Sequence, residues 1–369
     1  MNIAFVNESL SGGGAERATV NLANGLCLRE DTNVSVITGD KKDNDYELSD
    51  KVTRVCLITK KLIADSQTVK RYLTENNIDV VIGMGIYANF CVCLINSKRL
   101  KTKVVISERN SPKHDNISKK SKLLRFLIYR RADGYVFQTG QAREFYSKKI
   151  QERSVVIHNP VKAVLPHRTD RHNKEIVAVG RLMPQKNYDL LIRAFFEVCK
   201  KNNDYILRIF GEGKEKESLE QLCNELVIAE RVRFEGFSAN VHDEMKDSDI
   251  FVMSSDFEGM PNSLMEAMAM GFPVISTDCP CGGPAELIEN RKNGLLTPVG
   301  DTDGMAECIM RLIADEELKE NIARTAGNIR NTHSMNKIVS YWIEFLTIIS
   351  CKKDKRGCVK IKATNNSKK

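Results

Sequence analysis

Short apolar runs alternate with longer helical runs along the first part of the chain. Residues 2–7, 34–38, 79–84, 103–107, 134–137 and 154–157 read as strands, and between them 15–29, 88–98 and 122–131 carry helical spacing. Runs such as Val80-Val81-Ile82-Gly83 and Val104-Val105-Ile106-Ser107 are apolar on both sides of the pleat. That predicts parallel strands with helices covering both faces of the sheet. The alternation stops at residues 159–174, a polar stretch with two prolines and no period, and restarts beyond it. There 175–179, 205–210, 232–234, 250–253, 273–276 and 294–296 read as strands, with helices at 188–200, 214–226, 263–270 and 303–314. The predicted fold class is α/β, with two Rossmann-like doubly wound domains facing a central cleft. The domains are placed at 1–160 and 175–350, with a linker at 161–174 and a basic, disordered tail at 351–369. The last helices are read as finishing the second domain, with a return to the first as the alternative.

Composition narrows the class. No apolar run approaches the roughly 20 residues of a spanning helix, and the first strand starts with no basic segment or cleavage site before it. A cytoplasmic protein, peripheral at the inner face of the cell membrane, is expected. The eleven cysteines are scattered and none forms a C-x-x-C pair. Reduced thiols packed as small apolar groups fit this better than disulfides or a metal site. The net charge of +8 is uneven: the tail carries +7, residues 97–131 carry +10, and the remainder is net −9. Two basic zones on an otherwise acidic chain point to an anionic surface as partner. No recognition module accompanies them, so nucleic acid is not expected.

Three loops carry candidate chemistry. Ser11-Gly12-Gly13-Gly14-Ala15-Glu16-Arg17 follows the first strand and opens a helix, where free amides and the dipole suit a phosphate. Arg17 stands where a dinucleotide fingerprint needs its last glycine, so a turn made only for packing remains the alternative. Gly180-Arg181-Leu182-Met183-Pro184-Gln185-Lys186-Asn187 follows the first strand of the second domain. Arg181 and Lys186 there can clamp two adjacent phosphates, or be two surface cations on a turn. Asp256-Phe257-Glu258-Gly259-Met260-Pro261-Asn262-Ser263-Leu264-Met265-Glu266-Ala267 joins a loop to a helix capped by Asn262 or Ser263. Glu258 stands in the loop and Glu266 about one turn into the helix, where its apolar neighbours argue against a solvated face. Asp247-Ser248-Asp249 has the spelling of a metal-binding sugar-transferase motif, but at the start of a buried strand it reads as capping.

With these segments, and with 293–301, which opens Asn293-Gly294-Leu295-Leu296-Thr297-Pro298, the chain resembles the retaining glycosyltransferases of family 4, which have the GT-B fold. Its Gly13-Gly14-Ala15-Glu16-Arg17 start resembles the branch serving bacterial surface polysaccharides. The resemblance implies that Arg181 and Lys186 hold the donor diphosphate, helped by Gly13 and Gly14. It implies that Glu266 binds the nucleotide ribose and that Glu258 contacts the donor sugar beside Gly259, Met260, Pro261, Asn262, Ser263 and Leu264. It implies transfer of a hexose or N-acetylhexosamine from a UDP-sugar, with retention and without a cofactor or metal. The acceptor it implies is a polyprenyl-diphosphate-linked oligosaccharide of O-antigen, capsule or exopolysaccharide synthesis. A small soluble acceptor, and a non-catalytic nucleotide-sugar-binding scaffold subunit, are the alternatives. One departure is Arg109, after Glu108, where many relatives carry a histidine; both are kept as candidate site residues. Finally, residues 119–131 combine Leu123, Leu124, Phe126, Leu127, Ile128 and Tyr129 with six cations. That suits a helix at an anionic membrane, or a domain helix burying its apolar side. The sequence leaves oligomeric state open.

Overall fold

The computed structural model describes residues 1–97, 100–114, 118–171 and 173–351. The expected disordered tail lies outside the described residues from 352 onward. The chain divides into two compact units: Met1–Pro160 with the chain from Met335, and Val161–Ser334.

In the first unit the strands are β1 (Asn2–Val6), β2 (Asn33–Thr38), β3 (Val52–Cys56), β4 (Val80–Met84), β5 (Lys103–Glu108), β6 (Gly134–Phe137) and β7 (Ser154–Val156). They form one parallel sheet in the order β3-β2-β1-β4-β5-β6-β7. Its helices are α1 (Gly14–Leu26), α2 (Leu62–Glu75), α3 (Ile86–Ile95), α4 (Lys119–Ile128), α5 (Gly140–Glu144) and α6 (Lys148–Gln151). Strand β3 and helix α2 escape the hydrophobic reading for a physical reason. β3 is the sheet edge and only Val52 in it is buried, while α2 buries just Asp65, Ser66, Val69 and Leu73.

The second unit repeats the plan. Strands β8 (Glu175–Val179), β9 (Ile206–Phe210), β10 (Val232–Gly236), β11 (Ile250–Met253), β12 (Val274–Thr277) and β13 (Leu295–Thr297) pair in parallel, in the order β10-β9-β8-β11-β12-β13. Around them lie α7 (Tyr188–Cys199), α8 (Lys216–Glu225), α9 (Val241–Met245), α10 (Asn262–Met270), α11 (Gly283–Leu287), α12 (Thr302–Ala314), α13 (Glu316–Ala326) and α14 (Ile329–Thr332). In each sheet the winding reverses beside its first strand, between β1 and β4 and between β8 and β11. Open parallel sheets bind ligands beyond the carboxyl ends of their strands at such a point.

Two domain expectations are corrected. Residues 161–174 are not a free linker, because Val161 and Leu165 are buried in the second unit's core. Their backbone is also satisfied there: Val161 N–H donates to the His333 carbonyl at 2.9 Å, Arg168 N–H to Met270 at 2.7 Å, and Thr169 N–H to Lys246 at 2.9 Å. Lack of a period here means lack of regular structure, not lack of packing. The second correction is α15 (Met335–Cys351), which belongs to the first unit and not to a domain ending at 350. Its stripe of Ile338, Val339, Trp342, Phe345, Leu346 and Ile349 completes the core built by Ile3, Phe5, Leu22 and Leu26. Close approach requires two glycines: a Cβ on Gly25 would lie 2.7 Å from Met335 Sδ, and one on Gly134 would lie 2.9 Å from Ile349 Cδ1. Among the described residues no helix is long and apolar enough to cross a membrane.

Trp342 is fully buried, and its truncation leaves a cavity that helix and sheet cannot both collapse into. We expect Trp342→Ala to cost the first unit about 3–5 kcal/mol, read by denaturant unfolding. A cost below about 1 kcal/mol would mean that α15 merely rests on the surface.

Candidate active site

The second unit gathers its candidate chemistry at the β8/β11 reversal. β8 ends at Val179, and the chain runs through Gly180 and Arg181 into a single 3-10 turn, Pro184–Lys186. Asn187 then takes a left-handed conformation (φ 46°, ψ 54°), which asparagine tolerates better than most side chains. Its Oδ1 accepts from Leu190 N–H at 3.1 Å, capping α7, while its Nδ2 donates to Asp256 Oδ1 at 2.7 Å. Asp256 N–H donates to the Gln185 carbonyl at 2.9 Å, Gln185 Nε2 to the Phe257 carbonyl at 2.9 Å, and Ser254 Oγ to the Lys186 carbonyl at 2.9 Å. The loops after β8 and β11 are therefore stitched into one surface.

On that surface Lys186 Nζ donates to Glu258 Oε1 at 2.7 Å, and Ser255 Oγ donates to the same oxygen at 3.0 Å. Both charged side chains are mostly buried, 18% and 11% exposed. A third loop holds the glutamate's backbone: Glu258 N–H donates to the Pro280 carbonyl at 2.7 Å and Cys281 N–H returns to the Glu258 carbonyl at 2.8 Å. Glu258 also acts on its neighbours. Burial, with the glutamate's charge adding, pushes the Cys279 thiol up to about 12, and the same two causes raise the Tyr188 phenol. Cys279 therefore stays protonated and is no nucleophile.

Helix α10 starts differently from expectation. Neither Asn262 nor Ser263 is its cap; Pro261 occupies that position and no side chain caps the first turn. The N–H groups of a first helical turn are where an anion is best received. Glu266, one turn in, is 7% exposed among buried Leu264, Met265, Ala267 and Met268. Its Oε2 lies 3.0 Å from Nε2 of His242 on α9, a residue that no motif singled out. Arg181 is exposed, and among the described residues no ion pair holds its guanidinium. Asp247-Ser248-Asp249 is consumed internally on the amino side of β11. Thr169 Oγ1 donates to Asp247 Oδ1 at 2.5 Å, Ser248 Oγ to Glu175 Oε2 at 2.7 Å, and Asp249 N–H to the Glu175 carbonyl at 2.9 Å.

The other candidates belong to the first unit. Gly13 and Gly14 open α1 beyond β1; Gly12 takes φ +82°, and a Cβ on Gly13 would lie 2.1 Å from Glu16 Oε2. The helix start thus has its own carboxylate above it. Glu108, at the end of β5, is 2% exposed and accepts from Tyr146 Oη at 2.7 Å. Arg109 donates from Nη1 to Asn159 Oδ1 at 2.9 Å and sits 5.7 Å from the Trp342 ring centre. Burial pulls its guanidinium down to about 9, against the opposing pull of Glu108.

Helix α4 does not bury its apolar side. Leu123 is 64% exposed, Phe126 55% and Leu127 59%, whereas Arg125 is buried and donates from Nη2 to the Pro112 carbonyl at 2.7 Å. Ile128 and Tyr129 fill the rest of the inward stripe. The helix thus turns a cation inward beside Ile128 and leaves Leu123, Phe126 and Leu127 facing water.

Two family profiles match the chain in tandem: Glycosyltransferase Family 4 over residues 12–164 and Glycosyl transferases group 1 over 166–328. The chain is a family 4 glycosyltransferase. An uncharacterized glycosyltransferase of Haemophilus influenzae is 25% identical to it over 92% of this chain and 97% of that one. A Campylobacter jejuni α-1,4-N-acetyl-D-galactosaminyltransferase, whose name gives a diphospho-undecaprenol-linked trisaccharide as its acceptor, is 26% identical over 94% of this glycosyltransferase and 98% of its own length. The crystal structure of Anabaena HepE in complex with UDP superposes with a TM-score of 0.79, covering 94% and 100% of the two chains at 21% identity. This glycosyltransferase accordingly has the GT-B fold.

The stitched surface leaves no room at Gly283, where a Cβ would lie 1.8 Å from the Gly259 carbonyl oxygen and 2.9 Å from Pro261 Cδ. Both neighbours belong to the loop that delivers Glu258 into α10. Gly283→Ala is expected to cost about 1–3 kcal/mol in thermal or denaturant unfolding. Stability within about 0.5 kcal/mol of wild type would show that the loop gives way freely.

Proposed function

We propose that this glycosyltransferase moves a hexose or N-acetylhexosamine from a UDP-sugar, with retention, onto a polyprenyl-diphosphate-linked oligosaccharide of a bacterial surface polysaccharide. The observation that carries the reading is the Lys186–Glu258 pair, 2.7 Å apart beside the uncapped start of α10. An ammonium, an exposed guanidinium at Arg181 and a helix start without a side-chain cap suit a diphosphate, while a carboxylate within the same surface suits sugar hydroxyls. The Campylobacter relative's lipid-linked acceptor and the UDP in the HepE structure support the acceptor and the base.

The bond that breaks joins the sugar's anomeric carbon to the donor's β-phosphate oxygen, which keeps the electron pair. Lys186, Arg181 and the backbone N–H groups of Gly259, Met260 and Asn262 meet that growing negative charge, so they bind the transition state more tightly than the ground state. The acceptor hydroxyl attacks the same face, and its proton passes to the leaving phosphate oxygen. Lys186 keeps two N–H donors beyond the one on Glu258, so it can serve phosphate without abandoning the carboxylate. With charge supplied by side chains and amides, the reaction needs no divalent metal.

The acceptor lies at a membrane, and α4 suits that surface: Leu123, Phe126 and Leu127 face outward on a segment carrying +10 between residues 97 and 131. The site of action that follows is the inner face of the cell membrane. Leu123→Ser with Phe126→Ser should lower binding to vesicles containing phosphatidylglycerol about 10-fold or more, measured by flotation. Undiminished binding would remove α4 as the contact, and no wild-type binding would favour a soluble acceptor.

The donor reading is tested by thermal shift with UDP-, GDP- and ADP-sugars in EDTA, alongside transfer to a membrane acceptor fraction. We expect one base to give a shift that survives EDTA, and Lys186→Ala to cut transfer about 100-fold or more. A shift without transfer under any condition would favour a scaffold subunit. No shift with any donor would overturn the reading.

A further inference from the structure

One buried, titratable side chain at this surface has no part in the chemistry above: His242. Helix α9 is the crossover from β10 to β11, strands that β9 and β8 separate in the sheet. From it the imidazole reaches Glu266 on α10, Nε2 to Oε2 at 3.0 Å, with both side chains about nine-tenths buried. A carboxylate held among Leu264, Met265, Ala267 and Met268 must find donors or pay a heavy desolvation cost. In the tautomer with the hydrogen on Nε2, the imidazole donates to that oxygen. The bond has a further effect. The terminal torsion of a glutamate is broad and two-fold, and anchoring Oε2 selects one orientation, which fixes where Oε1 points.

We propose that His242 is a positioning residue that sets the Glu266 carboxylate for the two ribose hydroxyls of the donor nucleotide. The inference rests on the reading of Glu266 as the ribose-binding group. It makes His242 act only through a ligand that has the diol, which a residue serving packing alone would not do. An ordinary core histidine would weaken every ligand of this unit alike when removed.

The experiment compares UDP with 2′,3′-dideoxyuridine diphosphate by titration calorimetry on wild type, Glu266→Ala, His242→Ala and His242→Gln, with melting temperatures recorded for each. Wild type should prefer the diol by about 10-fold or more, and Glu266→Ala should abolish that preference. His242→Ala should lose about 5–10-fold in UDP affinity with little change for the dideoxy ligand. His242→Gln, whose side-chain amide can still donate, should recover most of the loss. Equal weakening of both ligands in His242→Ala, or an intact diol preference there, would overturn the proposal alone. Absence of UDP binding, or of any diol preference in wild type, would remove the ribose reading of Glu266 and this proposal with it.

Discussion

The second unit's surface chemistry depends on placing a lysine and a glutamate together where little water reaches them. Taking either charge out of water alone is expensive, and a pair recovers that cost only with good geometry and extra hydrogen bonds. Lys186 and Glu258 meet at 2.7 Å, Ser255 adds a bond to the same oxygen, and three loops hold the backbone around them. Such a pair is weak evidence for stability. The scaffold around it, from the Asn187–Asp256 bond to the close approach of Gly283 and Gly259, is better understood as holding charge in a fixed place for a ligand. The raised thiol of Cys279 fits the same picture, since the surface favours electrostatics over covalent attack by sulfur.

The parallel sheet makes this placement possible. Winding that reverses between β8 and β11 leaves their carboxyl ends side by side with helices departing to opposite faces, so two loops distant in sequence must meet. The loop beyond β8 is bounded as closely on its other side: Gly211, just after β9, takes φ +141°, and a Cβ there would lie 1.9 Å from the Gly180 carbonyl oxygen. Of the residues that came through as motifs, Arg181, Lys186 and Glu258 lie on the two loops that this topology joins, and Glu266 lies in α10, which the second loop enters.

What the chain's pattern could show was therefore local. Alternating apolar runs sufficed for all six strands of the second unit and for six of the first unit's parallel strands. Edge strand β3 is hidden because one buried residue makes no pattern. The His242–Glu266 bond is hidden because the two residues sit 24 apart on different helices, and only the fold makes them neighbours. Helix α4 is a subtler case. Its spacing shows two stripes, yet Leu123, Phe126 and Leu127 face water while Arg125 turns inward to the Pro112 carbonyl, with the half-exposed Phe145 ring 5.5 Å away. A stripe reveals that a helix has two faces, and tertiary partners decide which face turns inward.

The return of α15 ties the end of the chain to a candidate residue of the first unit. Trp342 is there to fill the core, but its ring also lies under the Arg109 guanidinium, which Asn159 holds from the end of the same unit. Arg109 stands where many relatives are expected to carry a histidine, and it is not a free surface cation. Burial depresses it to about 9, while Glu108, itself bound by Tyr146, draws it back toward charge. At neutral pH the guanidinium remains protonated, so it offers a fixed positive charge where a histidine would offer a proton that comes and goes. A residue anchored by an aromatic ring, an amide and the Met84 sulfur is suited to orienting an anionic group and unsuited to acid–base work. Arg109 thus brings a fixed charge to the end of β5, and one of its anchors stands on a helix that returns to the first unit from the far end of the chain.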